Sequence, residues 1–324
     1  MKKTIIFTLF LLFLLFLTLL FGLVTSHNGL SWGDLANING AKKVIIYELR
    51  APRILAAMFG GALLALSGSV MQGVLKNPLA SPFTLGVSGA AAFGATFAII
   101  VLQSLHGSAT VIVLLAFVFS MLSMLAIVWL GSRAGLEPSA LILAGIALGT
   151  LFHALTMLLQ FFATDLDAAA ALFWTFGDMG KATWTHVKVL SIQAVVLGAL
   201  IFFQHWKFDA LSFGDDAAVS KGIKVKTFRL AMLVFATFCA ATVVAFFGII
   251  GFIGLAAPHL VRFSISSKNS IVLPFGMAVG AVLLGASDIL SRVVAPPIII
   301  PIGIITALLG VPILLFLLSK RVAS

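Results

Sequence analysis

Long apolar runs free of Lys, Arg, Asp and Glu follow one another along most of the chain, separated by short clusters of charged, glycine and proline residues. Crossing roughly 30 Å of hydrocarbon takes about 20 helical residues. The runs predict ten spans, at 4–24, 54–75, 84–103, 109–130, 138–162, 185–205, 230–248, 249–265, 271–287 and 302–319. This is the pattern of an all-α membrane protein forming one polytopic domain, 1–324, whose first transmembrane helix occupies 1–26. The seventh and eighth spans abut at Gly248–Gly251 with no charge between them. Met1-Lys2-Lys3 and the apolar run behind it have the outline of a secretory signal. A signal's apolar region, however, is about 7–15 residues and ends at a small-residue cleavage site. Here bulky Leu and Phe continue to Val24, which predicts an uncleaved first span.

Composition agrees with this pattern. The 324 residues are 61% hydrophobic and 9% charged, with a mean hydropathy of +1.21, which excludes an ordinary water-soluble domain. A formal charge of +10 would suggest nucleic acid only if the basic residues shared a soluble face. Instead they sort by side. With the N-terminus inside, the cytoplasmic ends hold Lys2, Lys3, Lys76, Arg133, Lys207, Lys221, Lys224, Lys226, Arg229, Arg262, Lys268, Lys320 and Arg321. The outer side holds Lys42, Lys43, Arg50, Arg53, Lys181, Lys188 and Arg292. This asymmetry has the direction of the positive-inside rule and predicts a multi-pass protein of a bacterial cell membrane, both termini cytoplasmic, with no nucleic-acid partner. The single cysteine, Cys239, lies within a span and reads as a small buried apolar residue.

The acidic residues Asp34, Glu48, Glu137, Asp165, Asp167, Asp178, Asp209, Asp215, Asp216 and Asp288 all fall in predicted loops or at span ends. Ion-driven transporters place an ionisable or coordinating group near mid-membrane, and away from the span ends this chain offers only His153 and His259. Nor can it hydrolyse a nucleotide: no G-x-x-x-x-G-K-[ST] loop is present, and Gly180-Lys181 runs on into Ala182. No His-Glu-x-x-His or nucleophile–base set occupies a span, which argues against an intramembrane enzyme. The energy source is expected to be a separate polypeptide.

Small residues recur at four-residue spacing at Gly61/Ala65/Ser69, Gly145/Gly149 and Gly276/Gly280, as close helix packing in lipid requires. Proline breaks the helical pattern at Asn77-Pro78-Leu79-Ala80-Ser81-Pro82, Ala257-Pro258-His259 and Ala295-Pro296-Pro297 with Pro301. The largest cytoplasmic loop, 206–229, reads as short helices. Asp215 and Asp216 suit a first turn and Gly222 suits a C-terminal stop. Such a loop serves equally as a solvated linker, an interfacial anchor or a docking element.

Several strings are more specific than these patterns. Arg50-Ala51-Pro52-Arg53-Ile54-Leu55, Gly61-Ala62-Leu63-Leu64-Ala65-Leu66-Ser67-Gly68, Met71-Gln72, the Asn77–Pro82 segment and Leu85-Gly86-Val87-Ser88-Gly89-Ala90 come first. Gly251-Phe252-Ile253-Gly254-Leu255, Pro258-His259 with Arg262, Ser287-Asp288 with Arg292, Pro301–Ala307 and Gly310-Val311-Pro312 follow in order. Together, from Arg50 onward, they closely resemble the iron-siderophore, haem and vitamin B12 permease family of ABC importers. The resemblance implies about ten helices and a second permease subunit, identical or related, around a central pathway. It implies two cytoplasmic ATPases, which use ATP and Mg while this chain binds no cofactor or metal, and an extracytoplasmic substrate-binding protein.

The resemblance makes the long loop the ATPase-coupling element, through Leu211, Gly214, Asp215, Ala218 and Gly222, with Lys221 departing from the apolar residue usual before that last glycine. It makes Arg50, Arg53 and Arg292 the acceptors of carboxylates from the binding protein, a task that suits the fixed guanidinium fork. His153, Met157 and Gln160 on the fifth span and Thr306 on the tenth are expected to line the pathway. The expected cargo is an Fe(III)-siderophore. Haem or cobalamin is the alternative within the family, and an ion-coupled secondary transporter is the alternative outside it.

Overall fold

The structure, a computed structural model, describes residues 2–25, 40–102 and 109–322. Asp34 and the predicted span ends at 26 and 103 lie outside the described residues, as do the side chains of Lys320 and Arg321. Within them the chain is helical, with no strand. The order is α1 (Lys2–Val24), α2 (Ala41–Val44), which passes through a π-helical turn (Ile45–Arg50) into α3 (Ala51–Leu75), α4 (Val87–Ile100), α5 (Ala109–Arg133), α6 (Pro138–Phe162) and α7 (Asp165–Thr175). There follow α8 (Trp184–Phe202), α9 (His205–Ser212), α10 (Asp215–Ser220), α11 (Val225–Phe247), α12 (Ile253–Ser264), α13 (Asn269–Val293) and α14 (Ile302–Val322).

Among the described residues seven helices are long and apolar enough to cross a membrane: α1, the joined α2–α3, α5, α6, α8, α11 and α13. α4 and the described part of α14 are shorter apolar helices. The expectation of an eighth full span at 249–265 is corrected. α12 has 12 residues and rises only about 18 Å, and Gly248–Phe252 before it is not helical. The ninth span, predicted as 271–287, runs to Val293, so Asp288 lies inside a helix rather than at its end.

The connection 163–184, read from sequence as a loop, contains α7. Thr164 accepts from the Asp167 amide, and Asp165 and Asp167 occupy the first turn, where carboxylates oppose the positive dipole end. The helix has only 11 residues, too few to register as a span. α8 begins with a capping box between Thr183 and His186.

α3 is the axis of the bundle, 83% buried over its apolar window, with α13, α11, α12 and α8 packed around it. Gly61 and Gly280 meet carbonyl to Cα, so that a methyl on either would overlap the other's carbonyl oxygen. The small-residue spacing on α3 and α13 is thus one close helix crossing. Gly145 and Gly149 instead receive a non-helical segment, Leu85-Gly86.

One end of the bundle carries Arg50, Arg53, Arg292 and the 177–181 turn, and the other carries α9 and α10; these are the arginine end and the loop end.

Candidate functional site

Two non-helical segments enter the bundle from opposite ends. α3 stops at Lys76, which takes a left-handed conformation (φ 48°), and the chain turns back inward. Gly86 comes to rest beside Gly149, about three turns inside α6. Buried irregular backbone needs partners, and here they are local. Asn77 Oδ1 accepts from the Leu79 amide at 2.8 Å. Ser81 and Thr84 exchange amide-to-hydroxyl bonds at 2.9 and 3.1 Å. From the arginine end, Gly248–Phe252 descends until Gly254 lies against Leu64 and Gly68 of α3. The segments touch where Phe83 stacks on Phe252, centroids 6.4 Å apart. Phe252 has a φ of 65°, a conformation that costs a non-glycine residue about 1–2 kcal/mol.

The predicted break at Ala257-Pro258-His259 does not occur, because α12 continues through Pro258. Proline cannot donate to the carbonyl four residues back, which is that of Gly254. Gln72 Nε2 donates to that oxygen at 3.4 Å, while Gln72 Oε1 accepts from Arg262. A buried glutamine on α3 thus supplies the bond the proline removed.

At the loop end, α9 and α10 form the short helices expected of 206–229. Leu211 and Ala218 are fully buried and seat the expected coupling loop on the bundle, so neither presents a surface to a partner in this arrangement. Gly214 (φ 116°) and Gly222 (φ 78°) have open space around them and are required by backbone conformation. Outward from the loop point Phe213, 80% exposed, and Val219, 59% exposed. These two apolar tips were not singled out from sequence.

Asp215 faces inward. Both its oxygens accept from Arg229 Nη2 at 3.0 Å, and Lys76 Nζ donates to Oδ1 at 2.9 Å. Arg229, 2% exposed, also donates to the carbonyls of Val74 at 2.9 Å and Leu136 at 3.0 Å. One guanidinium therefore joins α10 to α11, the end of α3 and the α5–α6 turn. Partial burial alone would push the Asp215 carboxyl up, but the hydrogen bonds and charges of Lys76 and Arg229 outweigh it and hold the carboxyl below its ordinary range. Asp209 makes a second link, accepting from the Asn269 amide at 2.9 Å and side chain at 2.8 Å, and so caps α13. The signal that Arg229 mattered was an arginine one turn into a span, where an unpartnered charge is costly.

At the arginine end the three predicted arginines part company. Arg50 and Arg292, both buried, donate to the last carbonyls of α1: Arg50 Nη1 to Leu23 at 3.0 Å and Val24 at 2.7 Å, Arg292 Nη1 to Gly22 at 3.2 Å and Thr25 at 3.1 Å. Cations at a helix C-terminus answer its unsatisfied carbonyls. Arg292 Nη2 also lies 3.0 Å from Asp288 Oδ2, and Arg53 Nε lies 2.7 Å from Oδ1. Neither Arg50 nor Arg292 offers a free fork to a partner in this arrangement. Of the three, only Arg53 reaches an open cavity of 1130 Å³, whose lining also includes Asp178, Lys181, Ser291, Trp174 and Phe176.

Of the expected pathway residues, His153 and Met157 are exposed and Gln160 is half-buried on α6. Thr306 is buried, its hydroxyl donating to the Gly303 carbonyl at 3.1 Å; it packs inside the chain instead of lining a surface. The exposed stripe of α14 is Ile304, Leu308, Val311 and Leu315.

These features have counterparts in known proteins. The profile of the FecCD transport family matches residues 10–320. A Methanocaldococcus jannaschii protein assigned as an ABC transporter permease is 41% identical over 98% of this chain and 95% of its own. The permease of an Fe(3+)-citrate import system from Bacillus subtilis is 34% identical over 88% of this chain and 85% of its own. A solved structure assigned to a metal-chelate type ABC transporter, in an inward-facing conformation, superposes with a TM-score of 0.86 at 32% identity, covering 96% of this chain and 97% of that one. A multi-pass all-helical bundle with this extent of match belongs to the FecCD transport family, the permeases of ABC transporters for metal chelates, siderophores and vitamin B12.

Proposed function

We propose that the chain is the membrane permease of an importer that moves an Fe(III)-siderophore into a bacterial cytoplasm, with a second permease subunit, two ATPases and an extracytoplasmic binding protein. The loop end lies in the cytoplasm with both termini, and the arginine end faces out. The observation that carries this reading is the Asp215–Arg229 junction, because it ties an exposed loop with apolar tips to helix ends leading back to both irregular segments.

An ATPase seated on Phe213 and Val219 would move α10, and α10 cannot move without Arg229, the end of α3 and the α5–α6 turn. The segment at 77–86 begins where α3 ends, so that displacement reaches the Phe83–Phe252 contact. The exposed faces of α6 and α14 are the surfaces that a second permease would meet to enclose a pathway. Their apolar character suits weak contact with a bulky chelate, since a permease that held it tightly would release it slowly. Arg53, in the lining of the outer cavity, is the arginine placed to receive a carboxylate of the binding protein. ATP and Mg belong to the partner subunit in this reading. The iron cargo rests on the Fe(3+)-citrate relative and the metal-chelate type of the solved structure.

The test is a pull-down of tagged chain from detergent-solubilised membranes, with and without Gly222→Trp. An ATPase and a permease are expected with wild type, and loss of the ATPase alone with the variant. Wild-type chain that came out alone from transporting membranes would end the reading. For the cargo, a deletion strain should fail to grow on an iron-siderophore as sole iron source while still using haem; the reverse pattern would make haem the cargo.

A further inference from the structure

Where α8 ends and α11 begins, the loop end carries a groove of 510 Å³ that shares Gly222 with the coupling loop and is otherwise lined by residues to which the transport reading assigns no role. Its walls are apolar and belong to two membrane-crossing helices, with Ile201 on α8 and Met232 and Phe235 on α11. They reach about three turns into α11, to a depth where acyl chains are the surrounding solvent. Its mouth carries Gln204, Trp206, Lys207 and Lys224, and no carboxylate lines it.

Three details at the mouth suit an anion that also carries a hydrogen-bond donor. Lys207 Nζ lies 5.4 Å from the centroids of both Trp206 and Phe228, so the ammonium is held between two rings instead of extending into water. Among the described residues neither Lys207 nor Lys224 pairs with a carboxylate: the nearby Asp209 accepts from Asn269, and Asp215 from Lys76 and Arg229. Gln204 Oε1 is buried without a hydrogen-bond donor. A half-buried cation, Lys207, and an orphaned acceptor are costly alone, and exposed Lys224 adds a second positive charge beside them. A phosphate beside a hydroxyl would satisfy both.

We propose that this groove binds an anionic phospholipid with a hydroxyl-bearing headgroup, of the phosphatidylglycerol class. One acyl chain lies along the α8–α11 walls, Lys207 and Lys224 hold the phosphate, and a headgroup hydroxyl donates to Gln204 Oε1. Basic pockets between membrane helices recognise acidic headgroups in this way, and Trp206 sits at the level where amphipathic rings favour the bilayer boundary. A choline headgroup matches poorly, since it sets a fixed cation near two lysines and has no hydroxyl to give. The bound lipid would wedge the root of α9 against α11, holding the loop that carries Asp215. The site stands whether the cargo is an iron chelate or another, because nothing in it depends on the pathway.

The experiment is native mass spectrometry of the full chain in detergent, titrated with phosphatidylglycerol or with phosphatidylcholine of the same acyl chains. Each lysine near an acidic headgroup contributes roughly fivefold, so Lys207→Gln/Lys224→Gln should bind phosphatidylglycerol about thirtyfold more weakly. Lys207→Arg/Lys224→Arg should bind it as wild type does, which separates loss of charge from loss of fold. Lys221→Gln/Lys268→Gln changes net charge equally outside the groove and should bind as wild type. Equal binding of the choline lipid, undiminished binding by the glutamine pair, or an equal loss in the control pair would overturn the proposal. Competition by inorganic phosphate alone would mean a phosphate site rather than a lipid site. Displacement of the lipid by a co-purifying ATPase would assign the groove to a protein interface.

Discussion

Arg229 Nη2 meets both carboxylate oxygens of Asp215 at 3.0 Å, with the arginine sealed in the bundle and the aspartate at the start of the loop's second helix. Because the same guanidinium also holds the Val74 and Leu136 carbonyls, it ties α10 to two other helix ends at once. Arg229→Lys keeps the charge and loses the fork. In a reconstituted complex with its ATPase, this variant should retain ATP hydrolysis within about twofold while transport falls by about tenfold or more, an uncoupling of about 1.4 kcal/mol. Parallel loss of both activities would show that Arg229 serves folding alone.

The pH response of this pair follows from its sign. Lys76 and Arg229 hold the folded Asp215 carboxyl below the ordinary range. Its contribution is therefore fully present above the unfolded value of about 3.9 and is lost as pH falls through the lower folded value. The difference in thermal midpoint between wild type and Asp215→Asn should be flat from about pH 5 to 8 and shrink below about pH 4. A difference that changed between pH 6 and 8 would require another group to control the clamp.

Gln72 and Pro258 should be coupled although they lie on different helices. Gln72→Leu leaves the buried Gly254 carbonyl without its donor, a loss of about 1–3 kcal/mol. Pro258→Ala restores an amide able to bond that carbonyl, so on that background Gln72→Leu should cost at least about 1 kcal/mol less. Thermal unfolding of the four proteins in one detergent closes the cycle; additive losses would mean that Gln72 acts only through Arg262.

The arginine end predicts a division of labour. Arg50→Gln should weaken the hold on the end of α1 and raise amide exchange in its last turn, leaving affinity for the binding protein within about twofold. Arg53→Gln should lower that affinity by about fivefold or more, as loss of a charged hydrogen bond of about 1 kcal/mol or more implies. If Arg50→Gln weakened binding as much as Arg53→Gln, the buried position of Arg50 would have to open in the complex.

How far sequence reached depended on the range of the interaction. The long spans were legible because a 20-residue apolar run has few alternatives in lipid, and the loop helices were legible because Asp215, Asp216 and Gly222 are local end signals. α12 was misjudged because hydropathy is the same for a buried half-helix with an extended lead as for a full span. Its Pro258 was read as a break because the remedy, Gln72, lies on another helix. Thr306 and the three arginines were placed by position along the chain, which does not say which way a side chain turns. Arg50 and Arg292 turned to the end of α1, a partner distant in sequence.

The sequence by itself determined that the chain lives in a membrane, that it is all helix, that its small-residue faces pack closely and that its motifs are those of one permease family. These follow from composition, local periodicity and ordered strings, each readable from neighbouring residues. The tertiary structure alone decided which glycines face each other, that two irregular segments meet at Phe83 and Phe252, that Leu211 and Ala218 turn inward while Phe213 and Val219 turn out, and that Arg229 binds the loop to the ends of its neighbours. Those depend on contacts between residues far apart in the chain, whose energies are set by burial and by the partner found there, and no local pattern encodes either.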